Sequence, residues 1–330
     1  MHGQHKKHGH AIRLASTNGL SREEWLALRQ RGIGSSDAAV AIGLSPYKSA
    51  LTLWLEKTAR KAPDDLSEKE SVLWGQILEP VLASVYQERT GYKVRRVNAV
   101  LQHAEHTFML ANLDREIVGL PEGPGVLEIK TSGYHSAPQW EEGIPISYQC
   151  QVLHQLAVTG HDWADVAVLI AGQDFRIYRV TRDDDKIADL IARERAFWDC
   201  VIEQRQPDPD GSADAARALG WLYPQDNGLV VDLSESTEFN RLFESLLEAR
   251  TAKAEAEAEE DRLKQQIQNA LGPATTAQFQ RGKVSWRRAK DGQVPDLERL
   301  QADYPKLMQR YVKPLPGARR FTVSTARNPS

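Results

Sequence analysis

The residues best suited to chemistry lie on two short segments near the middle of the chain. The first carries Asp114. The second follows a turn rich in Gly and Pro at residues 120–125 and carries an acid-x-lysine triplet from Glu128 to Lys130. Alternate side chains of a strand share a face, so Glu128 and Lys130 are expected to point together while their apolar neighbours enter a core. A hairpin at the turn would bring Asp114 beside them. Two carboxylates and one ammonium group would then converge, which suits a hard cation such as Mg²⁺ and attack by water on a phosphodiester.

An acid-x-lysine triplet does not define a site by itself. The chain contains a second one, Asp184-Asp185-Lys186, in a run of acids that opens a predicted helix. Acidic side chains suit the N-terminal end of a helix, so we interpret this second triplet as a solvated helix start. The alternative for Glu128 and Lys130 is a surface ion pair on an edge strand. The apolar strand around them and the acid on the preceding strand favour a site.

Composition restricts the class of protein. The chain has 330 residues, 41% hydrophobic and 26% charged, which is enough for one large domain or a domain with an appendage. No apolar run approaches the roughly 18 residues of a membrane-spanning helix, and the first ten residues lack the apolar region of a secretory signal. Only two cysteines occur, Cys150 and Cys200. They exclude a disulfide framework and a four-cysteine iron–sulfur cluster, and a reducing cytoplasm is the expected location.

Charge is distributed unevenly along the chain. The formal net charge is −3, yet residues 281–330 carry 12 Lys and Arg against 4 Asp and Glu, so this segment is +8 and the remainder is −11. A basic segment on an acidic body indicates a polyanion partner, or else a tail that only balances charge. Two short stretches there, 284–288 and 319–323, are predicted to be strands. Their aromatic residues beside arginines fit nucleic-acid contact, and the alternative is a small β module with charged edges.

Periodicity and breakers predict the elements that position these residues. Ser21 and Glu24 form a capping box that opens a helix, and apolar residues from Leu73 to Val85 recur at a spacing of three to four. Strands are predicted at 92–101, 108–118, 126–131, 165–171 and 175–180, and helices at 70–90, 146–158 and 183–206. Helices flanking a small mixed sheet define an α/β fold class.

Five segments make up the predicted domain organisation. They are a disordered leader at 1–18, an α/β domain at 19–207, a linker at 208–233, a long helix at 234–272 and a basic module at 273–330. The long helix is rich in Ala, Glu and Lys in its middle. Strict heptads are not sustained there, so a solvent-exposed helix or a helix that packs against a partner is favoured over a coiled coil.

Six separated motifs resemble, in order and approximate spacing, those of YqaJ-type viral recombinases. The motifs are Arg29, Gly-Ile-Gly-Ser-Ser-Asp at 32–37, residues 75–80 with Glu79, Asp114, Glu128-Ile129-Lys130, and Tyr148-Gln149-Cys150-Gln151 followed by Val-Thr-Gly at 158–160. Residues 20–205 are therefore similar to the phage lambda exonuclease. The resemblance implies a PD-(D/E)xK, restriction-endonuclease-like core, followed by a C-terminal extension of helix and small basic β module.

The resemblance also implies roles for individual residues. Glu79, Asp114, Glu128 and the Ile129 carbonyl would bind metal, Lys130 would align the attacking water, and Gln151 would support the catalytic group, with Tyr148 a further supporting residue. Arg29, Ser35 and Ser36 would form a pocket for the 5′-phosphate of a DNA end. The second glutamine of the family pattern, two residues after the first, is Leu153 here. That departure weakens a paired-glutamine arrangement.

The residues themselves support these roles but leave alternatives. A predicted helix begins near Ser35 and Ser36, so its N–H groups can hold a phosphate, while Arg29 can add a bidentate clamp. Plain N-capping by Ser36 or Asp37 is the alternative, and both can hold at once. Glu79 could face solvent, although a buried glutamate would need a partner such as a metal. Gln151 could instead be an exposed helix residue.

The function implied by the resemblance is a Mg²⁺-dependent exonuclease, or alternatively a Mn²⁺-dependent one. It would digest double-stranded DNA from 5′ to 3′ and leave 3′ single strands for phage-type recombination. A homotrimer, a single-strand annealing partner, no membrane partner and a phage or prophage origin are the accompanying expectations. The alternatives are an endonuclease of the same superfamily, a non-catalytic DNA-binding recombination subunit, and an assembly role through the long helix.

Overall fold

The computed structural model of the protein describes residues 11–315 and 317–325. The chain separates into two units, Met1–Pro224 and Gln225–Ser330. Within the described ranges, no helix is long and apolar enough to cross a membrane.

Helices and strands alternate along the first unit. Its helices are α1 (Arg22–Arg29), α2 (Ala38–Ala41), α3 (Ala50–Lys57), α4 (Glu70–Thr90), α5 (Ile146–Thr159), α6 (Asp184–Ile202) and α7 (Ala213–Leu222). Its strands are β1 (Ile12–Ser16), β2 (Ile33–Gly34), β3 (Lys93–Arg95), β4 (Ala99–Gln102), β5 (Met109–Ala111), β6 (Arg115–Val118), β7 (Gly125–Ser132), β8 (Trp163–Ile170) and β9 (Asp174–Thr181). Short 3₁₀ helices lie at Ser35–Asp37 and Tyr134–Trp140. The predicted capping box of Ser21 and Glu24 does open α1.

The strands of this unit form two mixed sheets. The larger has the order β3-β6-β7-β8-β9, in which β7 and β8 run parallel and the other neighbours run antiparallel. The smaller has the order β1-β4-β5-β2, with β2 parallel to β5. Helix α5 is the crossover that the parallel pair β7 and β8 requires. The predicted α/β fold class, with small mixed sheets flanked by helices, is confirmed.

Strand β7 separates two hydrophobic cores. Leu127 and Ile129 pack with the buried side of α4 on one face of the larger sheet. Val126 belongs to the other core, which contains the buried side of α5. Since side chains alternate along a strand, Glu128 and Lys130 lie on the same face as Val126, toward α5. The predicted alternation, with Glu128 and Lys130 on one face of this strand and Leu127 and Ile129 on the other, is confirmed.

Two segments predicted to be single strands, 92–101 and 108–118, are each divided between the two sheets. The first gives β3 and β4, and the second gives β5 and β6. The prediction of continuity is wrong because apolar residues run through both segments, whereas the choice of sheet depends on partners far along the chain. Asp114 consequently lies just before β6, where the ladder between β6 and β7 begins.

The predicted leader at 1–18 is wrong in its last part. Residues Ile12–Ser16 form β1, which pairs antiparallel with β4 at the edge of the smaller sheet. The hydrogen bonds of that ladder order a segment whose polar surroundings alone suggest disorder. Residues 1–10 lie outside the described residues.

The predicted linker at 208–233 contains helix α7, so the first unit extends to Pro224 rather than to residue 207. Helix α7 packs on α3 through the buried residues Ala215 and Ala218. The carboxylate of Asp214 accepts hydrogen bonds from the Ser49 N–H at 2.8 Å and from the hydroxyls of Ser49 and Thr52 at 2.9 and 2.6 Å. These partners lie more than 160 positions earlier in the chain, which is why the sequence did not indicate the contact.

We expect Asp214→Ala to lower the free energy of unfolding of the first unit by about 2 kcal/mol at pH 7, the scale of hydrogen bonds to a charged group. Burial would raise the pKa of Asp214, but the hydrogen bonds from Thr52 and Ser49 lower it to about 2. A depressed folded-state pKa stabilises the fold above about pH 4, and that contribution is lost as the pH falls toward 2. Denaturant titrations should therefore show that Asp214→Ala loses less unfolding free energy at pH 3 than at pH 7. Asp208→Ala, at an exposed residue, is the control and should not change the free energy of unfolding at either pH. An equal loss of unfolding free energy at both pH values in Asp214→Ala would contradict this account.

The second unit consists of α8 (Thr237–Leu271), a hairpin of β10 (Thr276–Phe279) and β11 (Gly282–Ser285), and the short helices α9 (Leu297–Asp303) and α10 (Pro305–Tyr311). The predicted strand at 284–288 overlaps β11, but its partner is β10. The prediction of a second basic strand at 319–323 is wrong, since that segment has no strand structure. A neighbouring segment joined by a tight turn pairs at little loop-closure cost, which favours β10 over a distant partner.

Helix α4 buries only part of the apolar stripe that its spacing predicts. Leu82, Ala83 and Tyr86 are buried, whereas Leu73 and Ile77 of the predicted stripe are 44% and 48% exposed. The N-terminal half of α4 therefore presents apolar side chains at the surface of this unit.

Candidate functional site

Strand β7 and the segment before β6 place both acids and the lysine together. The ladder between β6 and β7 begins at the pair Arg115 and Leu127. Beyond it, the carboxylate oxygen Oδ2 of Asp114 accepts the Ile129 N–H at 2.8 Å. A side chain thus substitutes for the backbone partner that β7 lacks at this point, and it fixes Asp114 against the strand that carries Glu128.

The carboxylate of Glu128 is buried, with 3% of its side chain exposed, and it is held by a closed set of hydrogen bonds. Its Oε1 lies 2.6 Å from the Lys130 Nζ and accepts the Gln151 Nε2–H at 2.6 Å. Lys130 in turn donates to the Gln151 Oε1 at 3.0 Å. The alternative that Gln151 is an exposed helix residue is wrong, because α5 directs its side chain toward Glu128 and Lys130 on β7. Both ends of its amide are used to orient the acid and the lysine.

Gln155 also contacts Glu128, and the sequence reasoning missed it. Its Nε2 donates to the Glu128 Oε2 at 2.7 Å, and the residue is completely buried on α5. The signal was present in the spacing, because residues four apart lie on the same face of a helix and Gln155 follows Gln151 by four.

Burial and charge govern the electrostatics of the site. Burial, and then the negative charge of Glu128, raise the pKa of Asp114 well above its ordinary value. Burial alone would lower the pKa of Lys130, but Glu128 and Asp114 outweigh it and raise that pKa. Lys130 therefore remains an ammonium group, and the raised pKa of Asp114 reflects the cost of placing a second negative charge beside Glu128.

The donor set suits a hard cation. Asp114 and Glu128 offer carboxylate oxygens in a largely buried place, and a divalent cation would remove the cost of keeping two negative charges together there. Among the described residues, no three His, Cys, Asp or Glu side chains are close enough to form a metal centre by themselves. A cation here would take these two carboxylates, with further oxygen ligands from the backbone, such as the Ile129 carbonyl, or from water, as Mg²⁺ commonly does.

Glu79 is near the site but is held by a different partner. Its Oε1 forms an ion pair with the guanidinium of Arg115, and the same guanidinium donates to the Asp114 carbonyl oxygen. The Glu79 side chain is 33% exposed, so it is neither buried without a partner nor fully in solvent. Its predicted role as a metal ligand stays a prediction. Arg115 directly follows Asp114 in the sequence, which was the available signal for this pair.

Tyr148 contacts Lys130 through its ring. The Lys130 Nζ lies 4.9 Å from the centre of the Tyr148 ring, a cation–π distance, and Trp140 stacks with the Tyr148 ring at 5.4 Å between centroids. The predicted supporting position of Tyr148 thus has a defined contact. The stack limits the freedom of the Lys130 side chain.

The predicted phosphate-binding residues form a second polar cluster. The Arg29 guanidinium donates to the Ser36 hydroxyl at 3.2 Å and to Asp37 at 2.7 Å. Lys57, almost fully buried, donates to the other Asp37 oxygen at 2.9 Å. Burial would raise the pKa of Asp37, but Arg29 and then Lys57 hold it well below its ordinary value, so two cations share one carboxylate and the cluster carries a net positive charge. Ser35 is buried and Ser36 is exposed.

Close backbone packing places this cluster against the smaller sheet. Ile33 donates its N–H to the Phe108 carbonyl at 2.7 Å. A Cβ atom on Gly32 would lie 2.3 Å from that same carbonyl oxygen. Only glycine fits at this close approach, which gives a physical reason for the first glycine of the Gly-Ile-Gly-Ser-Ser-Asp motif.

One cavity of about 590 Å³ joins the two clusters. Among the residues that line it are Arg29, Ser35, Ser36, Asp114, Glu128, Lys130 and Gln151. Residues separated by more than 75 positions in the sequence therefore open onto one space, which combines a cationic end with an acid and lysine end.

The chain belongs to the YqaJ-like viral recombinase family. The model of the YqaJ-like viral recombinase domain matches residues 24–162. The uncharacterized protein YqaJ of Bacillus subtilis (strain 168) is 34% identical over 315 residues, which cover 94% of this chain and 96% of that protein. Membership of this family supports a nuclease role in recombination.

Solved structures show weaker likeness. An alkaline exonuclease from Laribacter hongkongensis is 22% identical, with a TM-score of 0.47 over 56% of this chain and 94% of that chain. A phage-related exonuclease from Haemophilus somnus 129PT is 13% identical, with a TM-score of 0.39 over 55% of this chain and 99% of that chain. Likenesses of this strength support no inference about activity.

Proposed function

We propose that this protein is a metal-dependent deoxyribonuclease that digests double-stranded DNA ends from 5′ to 3′. The observation that carries the proposal is the single cavity shared by the acid and lysine cluster and the cationic cluster of Arg29 and Ser36. The first cluster supplies hydrolytic chemistry, and the second offers a place for a terminal phosphate. Membership of a viral recombinase family supports DNA as the substrate.

The residues of the chain define what each group would do. Asp114, Glu128 and the Ile129 carbonyl would hold Mg²⁺, or alternatively Mn²⁺, and Glu79 could join them. The bound cation would supply an acidified water and offset charge on the phosphate. Lys130, fixed by Glu128 and Gln151, would orient the attacking water and balance the negative charge that develops on the phosphate oxygens.

The cationic cluster would determine the direction of digestion. A guanidinium has five N–H donors, so pairing with Asp37 does not exhaust the capacity of Arg29 to bind a phosphate. Ser36 is exposed and lies within hydrogen-bond distance of the same guanidinium. A 5′-phosphate held here would present the first phosphodiester of that strand to the acids, while the opposite strand would remain uncut.

The remaining features are inferred from the family. The product would be a 3′ single strand that passes to a single-strand annealing protein during phage-type recombination. A homotrimer around DNA would keep the enzyme on its substrate. Specificity would lie in the DNA backbone and end, because the clusters offer phosphate contacts rather than readout of base edges.

Digestion of linear and closed circular duplexes of the same sequence tests the nuclease proposal. With Mg²⁺ the linear duplex should disappear and the circle should persist, and EDTA should stop the reaction. Cutting of the circle would indicate an endonuclease. DNA binding without cleavage in Mg²⁺ or Mn²⁺ would indicate a non-catalytic DNA-binding subunit.

The Arg29→Ala and Ser36→Ala double variant should digest 5′-phosphorylated ends roughly tenfold more slowly, the scale of one charge-assisted hydrogen bond, and 5′-hydroxyl ends at nearly the rate of the unaltered protein. Asp37 keeps Lys57 as its partner, so the fold should survive. Initial rates on the two substrates measure the effect. Arg22→Ala is the control, because Arg22 lies on the same helix and pairs with Asp65. Equal slowing on both kinds of end would remove the phosphate pocket from the proposal.

A further inference from the structure

Gln155 holds the side of Glu128 that Lys130 and Gln151 do not reach. Its Nε2 lies 2.7 Å from the Glu128 Oε2 and 3.4 Å from the Asn112 carbonyl oxygen. Both neighbours are acceptors, so the amide nitrogen must face them and the amide oxygen must point away. Since Lys130 and Gln151 contact Oε1, both oxygens of the buried carboxylate are held.

The other end of the Gln155 amide is unsatisfied. Its Oε1 is buried and has no hydrogen-bond partner in the part of the chain that the structure describes. A buried acceptor without a partner costs roughly 1–3 kcal/mol. Methionine has a similar volume and would fill the same space without that cost. In folding, this cost and the hydrogen bond to the buried Glu128 carboxylate roughly offset each other, so the reason for glutamine here lies in how it holds Glu128.

We propose that Gln155 is a positioning residue that fixes the Glu128 carboxylate for cation binding. The terminal torsion of a glutamate has a broad energy minimum, so a carboxylate held at one oxygen can still rotate. A donor on each oxygen removes that freedom and presents the remaining lone pairs in one direction. Partners that orient a metal ligand commonly change metal affinity or activity by about 10–100-fold. The inference rests on the proposed function, since it gives Gln155 a role at the same site.

Metal binding without DNA tests this role apart from catalysis. Binding of Mn²⁺ to the full-length DNA-free protein would be measured by electron paramagnetic resonance, alongside the melting temperature in EDTA. Gln155→Met should raise the Kd for Mn²⁺ about tenfold. Its melting temperature in EDTA should be unchanged or higher, because loss of the unsatisfied oxygen offsets loss of the hydrogen bond. Gln149→Met is the control: Gln149 lies on the same helix and donates to the Ile144 carbonyl at the surface, so neither value should change.

An unaltered Mn²⁺ affinity in Gln155→Met would overturn the inference. A large fall in the melting temperature in EDTA would also overturn it, because the residue would then act through the fold. Gln155→Leu provides a second apolar variant if the methionine variant does not fold. Failure of the unaltered protein to digest DNA would remove the proposed nuclease, while the Mn²⁺ titration would still decide the role of Gln155.

Discussion

Lys130→Met should reduce DNA digestion by about 10²–10³-fold while leaving DNA binding nearly intact. The Lys130 side chain is 19% exposed, and its charged ammonium group contacts both Glu128 and the Tyr148 ring. Removing one preorganised electrostatic group from an active site commonly costs this much. Phosphate contacts elsewhere in the cavity would still hold the substrate.

Single-turnover digestion in Mg²⁺, together with DNA binding measured in Ca²⁺, separates the two effects. Lys186→Met is the matched control, since Lys186 belongs to the second acid-x-lysine triplet and its side chain is 70% exposed in an ion pair with Asp183. That variant should retain full activity. Retained turnover in Lys130→Met would contradict the role assigned to this lysine, and an equal loss in both variants would point to a general charge effect.

Asp114→Asn should remove Mg²⁺-dependent digestion without unfolding the protein. The asparagine oxygen can still accept the Ile129 N–H that Asp114 accepts at 2.8 Å. The change also removes a charge that burial and Glu128 disfavour, because both raise the pKa of Asp114. The melting temperature in EDTA should therefore be unchanged or higher. What the variant loses is a charged oxygen ligand for the cation.

Thermal unfolding with and without Mg²⁺ measures this loss directly. A ligand that binds only the folded state raises its stability, so Mg²⁺ should raise the melting temperature of the unaltered protein and not that of Asp114→Asn. Asp184→Asn, at an exposed residue paired with Arg182, is the control and should respond to Mg²⁺ normally. A normal Mg²⁺ response in Asp114→Asn would exclude this carboxylate as a ligand.

Local patterns predicted the parts of the fold that depend on near neighbours. The alternation on β7 placed Glu128 and Lys130 on one face, and the predicted helix at 146–158 corresponds to α5 at Ile146–Thr159. The hairpin of β8 and β9 also follows from a short turn between two apolar runs. In each case the information lies within about one element's length of sequence.

Contacts between distant segments were beyond the same reasoning. Lys57 meets Asp37 across 20 positions, and Asp214 meets Thr52 across 162 positions. Nothing in either local pattern marks these pairs. The apolar spacing of α4 likewise could not show which side the sheet covers, and Leu73 remained exposed.

The candidate site contains residues that the sequence predicted and one residue that it did not. The motif resemblance placed Asp114, Glu128, Lys130 and Gln151 together, and the structure brings them into one cavity. Gln155 was not predicted, although its spacing of four from Gln151 places both on one helix face, because the family pattern has its second glutamine two residues after the first. Residues two apart on a helix point in different directions, so Leu153 packs against the core while Gln155 reaches Glu128.

Digestion of linear duplex DNA labelled at either the 5′ or the 3′ end is the most direct test of the proposed activity. In Mg²⁺, the 5′ label should be released at once as a mononucleotide, the 3′ label should persist until late in digestion, and EDTA should preserve both. Early loss of the 3′ label, or release of either label only on long fragments, would contradict a 5′-to-3′ exonuclease.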